Sequence, residues 1–144
     1  MPLSIIIRKH NITMKAKILS ALLILFSLFG YLEWGKENHS FLFEAEYEVF
    51  SKLFTDTQSV IHPFTLIPLI GQISLMITLF QRSPHKRMIY AGIVCIGLLI
   101  GLMFFIGIIS KNFKILISTI PFIATAIYTL RYLNKQNKTS DIDK

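Results

Sequence analysis

Charge is missing from four long stretches of this chain. Residues Ile18–Leu32, Pro63–Gln81, Met88–Ser110 and Ile115–Leu130 contain no Asp, Glu, Lys, Arg or His. A helix rises ~1.5 Å per residue, so an apolar run of about 18 to 20 residues crosses a hydrocarbon layer of ~30 Å. The pattern predicts an all-α chain: a four-transmembrane-helix bundle with spans at 16–34, 60–81, 88–110 and 113–133, forming a single membrane domain over residues 1–144. Residues 1–15 are expected as a cytoplasmic N-terminal segment and 134–144 as a cytoplasmic tail. A soluble bundle would instead show a polar face every 3.6 residues. Met88–Ser110 shows none, its polar Tyr90, Cys95 and Ser110 being few and scattered.

The connection at 35–59 has its own pattern. Phe43, Tyr47, Phe50 and Phe54 recur at helical spacing beside Leu42, Val49 and Leu53, while Glu44, Glu48, Ser51 and Lys52 fall on the opposite arc. This predicts a short amphipathic outer-face helix between helices one and two, its aromatic face against the bilayer surface or the outer ends of the bundle. Glu46 breaks the apolar arc, and Phe43–Val49 also alternates with the period of a strand. A lone strand would lack a partner, so a helix is expected. Trp34, Tyr31 and His62 stand where amphipathic rings mark a headgroup level.

Composition supports a membrane setting: 53% of the 144 residues are hydrophobic and only 16% charged, against about a quarter charged in soluble domains. The net charge of +7 does not indicate nucleic acid, because the basic residues cluster beside apolar runs. Arg8, Lys9, Lys15 and Lys17 precede the first run, Arg82, Lys86 and Arg87 join the second to the third, and Arg131, Lys135, Lys138 and Lys144 follow the fourth. These are eleven of fifteen basic residues, and they share one side. Lys/Arg excess marks the cytoplasmic face, so a multi-pass protein with both termini cytoplasmic is expected, in a bacterial inner membrane. No A-x-A-like cleavage site follows Ile18–Leu32, so the first span is expected to remain uncleaved. The single cysteine, Cys95, excludes an internal disulfide.

Within the bundle, Gln72 lies about 13 Å inward from Pro63 at ~1.5 Å per residue. Gly97 and Gly101 form a GxxxG motif, with Gly92 and Gly107 on the same helix. Small residues let helix backbones approach closely in lipid. Pro121 removes an amide and frees the Ile117 carbonyl, which Ser118, Thr125 or Gln72 could satisfy. Gly92, Gly97, Gly101, Gly107, Gln72 and Pro121 are thus the candidate helix-packing residues, and Gln72 is the candidate for a ligand or ion path.

The sequence offers few groups arranged for chemistry. No apolar run carries the ionisable group that proton-coupled transport needs, and no ring of charges suggests a channel. No catalytic, cofactor-binding or metal site is assigned. Glu33, Glu37, His39, His62 and the Glu44/Glu46/Glu48 set could converge at the outer rim, yet they lack a fixed metal-ligand spacing. On the inner side, His10, Arg82, His85, Lys86 and Arg87 read as contacts to anionic headgroups or to a partner's acids.

Leu32-Glu33-Trp34-Gly35, Ser40–Glu48 and His62–Gln72, taken together, resemble stretches of a group of small four-helix membrane proteins of Bacteroidetes-type bacteria. That group has no activity to carry over. The resemblance implies an inner-membrane location and a functional surface at the Glu33-Trp34-Gly35 corner, the outer helix and His62–Gln72. The layout is also similar to claudin-like tetraspan proteins, though with a shorter loop and no cysteine pair. The leading expectation is a non-enzymatic accessory or scaffold subunit of a larger membrane complex, in contact with the lipid bilayer. Glu33, Trp34, His39, Phe43, Tyr47, Phe50 and His62 would be its outer-face interaction residues. A small homodimeric transporter or channel with a path near Gln72 is the alternative, and an outer-face metal site or hydrolase is the third reading.

Overall fold

The computed structural model describes residues 2–34, 38–52, 54–56 and 63–142. Its elements are α1 (Leu3–Leu28), β1 (Tyr31–Trp34), β2 (Asn38–Phe41), α2 (Leu42–Lys52), α3 (Pro63–Phe80), α4 (Lys86–Ile109) and α5 (Phe113–Ile142). Three helical stretches are long and apolar enough to span a membrane: Leu3–Leu28, Lys86–Ile109 and Phe113–Lys138. The apolar part of α3, Leu66–Phe80, is shorter.

The four longer helices close into a ring, with α1 against α3 and α5, α3 against α4, and α4 against α5. Cross-helix hydrogen bonds fix their directions. Thr78 bonds Ser20 and Gln72 bonds Ser27, so numbering rises along α1 while it falls along α3. Lys86 with Asn137 and Tyr90 with Asn134 set α4 and α5 antiparallel in the same way. Leu23, Leu75, Ile89, Ile96, Ile100 and Phe122 fill the centre. Ile18, Ile70, Leu98, Phe105 and Ile117 stand exposed on the outside. An apolar exterior of this extent suits lipid tails and not water.

The helix bounds depart from the expected spans in an informative way. Helix one does not cover 16–34: it begins at Leu3, so the expected N-terminal segment is its first turns, and it ends at Leu28. Gly30 and the hairpin take over from there. Tyr31 pairs with Phe41 and Glu33 with His39 in an antiparallel ladder, and the Leu42 amide extends that ladder to the Gly30 carbonyl at 2.7 Å. The strand-like alternation of Phe43–Val49 is not realised, since that stretch lies in the helix Leu42–Lys52, and the strand that pairs with Tyr31–Trp34 is Asn38–Phe41 just before it. The hairpin runs along α5 toward the α4–α5 turn. The Tyr31 amide donates to Ser118 Oγ, and Glu33 meets Asn112 further up. Helix five continues past the expected end at 133 to Ile142.

Glycine decides the α3–α4 contact. A Cβ on Gly71 would lie 2.8 Å from Cys95 Cβ, and one on Gly92 would lie 2.5 Å from Leu75 Cγ. Each would also come within 3.0 Å of the other glycine's carbonyl oxygen. This is the close backbone approach that small residues permit. At the α4–α5 turn, Lys111 takes a positive φ of 53°, and Asn112 Oδ1 accepts the Lys114 amide at 3.1 Å, capping α5.

Candidate functional site

The most distinctive polar cluster sits where α1 ends, and its members come from three helices. Helix α2 is placed by its own first turn. The Glu44 carboxylate accepts the Phe41 amide at 3.0 Å and the Ser40 hydroxyl at 3.2 Å, so a glutamate three residues into the helix closes its start. That fixes which arc faces inward. Leu42, Ala45 and Glu46 are partly buried and Val49 is buried, at the i, i+3, i+4, i+7 positions of one helical face. Phe43, Tyr47 and Phe50 lie on the neighbouring arc and are exposed, Tyr47 at 76%. The aromatic face therefore points away from the bundle rather than onto its outer ends.

Glu46 occupies the inward face because it has a partner there. Gln72 Nε2 donates to Glu46 Oε1 at 2.6 Å and to Ser27 Oγ at 3.1 Å. The Ser27 hydroxyl in turn donates to the Ile24 carbonyl at 2.7 Å, which leaves its lone pairs for the amide. Both amide hydrogens of Gln72 are used, and the residue is only 6% exposed. Burial pushes the Glu46 carboxyl above its ordinary range, and the Gln72 hydrogen bond opposes that rise. Two turns toward the other end of the α1–α3 seam, Thr78 and Ser20 form a second pair, both fully buried. The seam is therefore held by hydrogen bonds as well as by van der Waals packing.

The expected site residues separate into distinct groups. Gln72 is at the cluster. Gly92 packs on Leu75 and Gly71, and Gly107 packs on Ile115 and Leu116. Gly97 and Gly101 do not pack inside the chain: a Cβ on either would meet nothing within 4 Å. Pro121 lies within α5, and its own carbonyl accepts from Thr125. Ser118 donates to Ile115 and Gln72 to its cluster partners, so none of these bonds goes to Ile117.

Among the residues expected at an outer rim, Glu33 accepts a 2.7 Å hydrogen bond from Asn112 Nδ2 and ties the hairpin to the α4–α5 turn. His39 is exposed, with its ring 6.0 Å from that of Tyr31. Trp34 lies in β1, its side chain outside the described set, and Glu37 and His62 fall outside the described residues. Among the described residues no three His, Cys, Asp or Glu side chains gather as a metal site would require.

Sequence reading missed two participants. Glu46 stood out as an interruption of an apolar arc and as one of the outer-rim acids, not as a partner of Gln72; that same misfit, an acid at i+4 from Leu42 and i−3 from Val49, is the signal for a buried partner. Asn112 gave the weaker signal of a cap residue in a tight turn.

Fold and site together define an all-helical membrane protein with a polar seam between α1 and α3. No protein family, curated protein or solved structure matches the chain.

Proposed function

We propose that this chain is a non-enzymatic accessory or scaffold subunit, a bundle crossing a bacterial inner membrane four times with both termini cytoplasmic, that docks a helix of a larger membrane complex. One observation carries the reading. Gly97 and Gly101 open onto empty space, whereas Gly71, Gly92 and Gly107 are covered by neighbours within the chain. Around the open pair, Val94, Leu98 and Phe105 are exposed on the same face of α4. In lipid, apolar surface alone gives helices no reason to associate, and close backbone approach at small residues does. A face of this kind suits a partner helix seated over the two glycines. The exposed arc of Phe43, Tyr47 and Phe50 would rest at the outer headgroup level.

Purification from native membranes in mild detergent tests the reading. A second polypeptide should co-purify with the wild-type chain, and leucine at both Gly97 and Gly101 should abolish that association while the fold persists. A monomer that purifies alone would refute it. The homodimeric transporter is favoured instead by the Glu46 carboxylate on Gln72, an ionisable group at a buried amide. It requires self-association through α4 and solute flux into vesicles that is lost in Gln72→Leu.

A further inference from the structure

At the opposite end of the bundle from Glu46, a cavity of about 390 Å³ opens between the first turns of α1, the α3–α4 turn and the last turns of α5. Its polar wall is made of Lys9, Thr13, Ser83, Lys86 and Gln136, and its apolar wall includes Ile12, Ala16, Ile89 and Leu133. The volume falls within the range of small-ligand sites, about 300–1,000 Å³.

Among the described residues no carboxylate lines this cavity, and the sequence contains no acid between residues 57 and 140 or before Glu33. Arg82, Arg87, Lys135 and Lys138 lie within a few residues of the lining. The segments that meet at this end carry eleven of the fifteen basic residues against two acids, Asp141 and Asp143, so its net charge is strongly positive. Lys86 Nζ donates to a neutral acceptor, the Asn137 side-chain oxygen. The amide nitrogen of Gln136 is buried without a hydrogen bond of acceptable geometry. Gln136 lines the cavity, so a rotation of its side chain would bring this buried donor to an acceptor there and relieve its desolvation cost. The start of α4 adds to the donor field: His85 provides no side-chain cap, so the first amides of α4 face this end with the positive pole of the helix.

We infer that this cavity binds the phosphate of an anionic phospholipid from the inner leaflet. Lys9, Lys86, Ser83 and Gln136 supply charge and hydrogen bonds to the phosphate oxygens. Ile12, Ala16, Ile89 and Leu133 take the glycerol and the first methylenes. The chemistry recognised is a phosphate ester, which a free phosphate would share. The apolar wall selects the amphiphile, since inorganic phosphate gains nothing from it. Basic pockets between spanning helices on the cytoplasmic side are a general route to such headgroups.

Native mass spectrometry of the full chain, loaded separately with phosphatidylglycerol and phosphatidylcholine, tests this. The wild type should retain one phosphatidylglycerol more strongly than phosphatidylcholine. Lys9→Gln with Lys86→Gln should weaken retention at least about ten-fold, given roughly five-fold per basic residue at an anionic surface. Lys111→Gln with Lys114→Gln removes equal charge at the other end and should leave retention unchanged. Gln136→Leu removes this amide together with its contact to Tyr132, and should weaken retention in protein with a wild-type circular dichroism spectrum. Equal retention of the two lipids overturns the inference, as does retention indifferent to the cavity substitutions in protein with wild-type circular dichroism. Displacement of the lipid by millimolar inorganic phosphate would assign the site to free phosphate and overturn the lipid assignment.

Discussion

Gln72 Nε2 and Glu46 Oε1 lie 2.6 Å apart, joining the amphipathic helix α2 to the middle of the apolar helix α3. Removing either partner has a different consequence. Gln72→Leu takes away both donated hydrogens and leaves the Glu46 carboxylate half-buried beside an apolar side chain. The expected loss is about 1–3 kcal/mol, the cost of an unsatisfied buried group. Glu46→Gln preserves an acceptor for Gln72 and should cost far less. A double-substitution cycle read by unfolding in mixed micelles should return a coupling energy above ~0.5 kcal/mol, the usual threshold for residues in contact. Additive effects would show that the two side chains do not cooperate.

The same contact has a pH dependence with a definite sign. Burial raises the folded-state pKa of Glu46 above its unfolded value. The folded chain therefore holds this proton more tightly than the unfolded one. Its contribution is fully present below the unfolded value and is lost as pH rises through the raised folded value. Amide exchange in α2 should accordingly quicken as pH rises through the mildly acidic range, after correction for intrinsic exchange rates. In Glu46→Gln that trend should vanish. A trend that survives the substitution would assign it to another group.

Apolar periodicity made the helical class legible, because length and the absence of charge are one-dimensional properties. The ends of helix one were not legible. Ile18–Leu32 is apolar throughout, yet the helix stops at Leu28, because strand pairing between Tyr31–Trp34 and Asn38–Phe41 takes over. That pairing brings together residues four to ten positions apart, which hydropathy does not register. The glycines show the same limit. GxxxG marks Gly97 and Gly101 as a packing face, but the backbone contact inside the chain falls on Gly71 and Gly92. Which face a glycine presents depends on the rotation of the helix, set here by Leu75, Ile89 and Ile96 entering the core.

The two kinds of glycine should respond oppositely to a methyl group. Gly92→Ala places a Cβ 2.5 Å from Leu75 Cγ and 3.0 Å from the Gly71 carbonyl oxygen. A branched side chain and a backbone atom would both have to give way, so a loss of about 1–3 kcal/mol is expected from overpacking. Gly97→Ala meets nothing and gains helix propensity, up to about 1 kcal/mol. Thermal unfolding in detergent should separate the two in sign. A destabilised Gly97→Ala in the isolated chain would contradict the open face.

Asn112 has two tasks, capping α5 through its oxygen and holding Glu33 through its nitrogen. Asn112→Asp keeps the cap but replaces the donor with a second carboxylate facing Glu33. It should loosen the hairpin while α5 persists. Asn112→Ala loses both, with about 1 kcal/mol attributable to the cap. Exchange at the Leu42 amide, which donates across the hairpin to the Gly30 carbonyl, separates the variants from the wild type. Protection unchanged in Asn112→Asp would show that the Glu33 contact does not hold the hairpin.

The shortness of α3 makes its orientation the most informative test of the bundle. At ~1.5 Å per residue, Pro63–Phe80 spans about 27 Å and its apolar part Leu66–Phe80 about 22 Å, against a hydrocarbon thickness of ~30 Å. The deficit is small enough for local thinning of the bilayer. It also falls on the helix that carries Gln72, where α2 packs alongside. The Thr78–Ser20 and Gln72–Ser27 bonds run α3 antiparallel to α1, which puts Ser83 at the end of the bundle rich in Lys and Arg. With Cys95 replaced by serine, cysteines introduced at Thr55 and Lys111 should react with an impermeant maleimide added outside spheroplasts. A cysteine at Ser83 should react only after permeabilisation. Labelling of Thr55 and Ser83 from the same side would mean that α3 enters and leaves by one face, and the chain would cross three times instead of four.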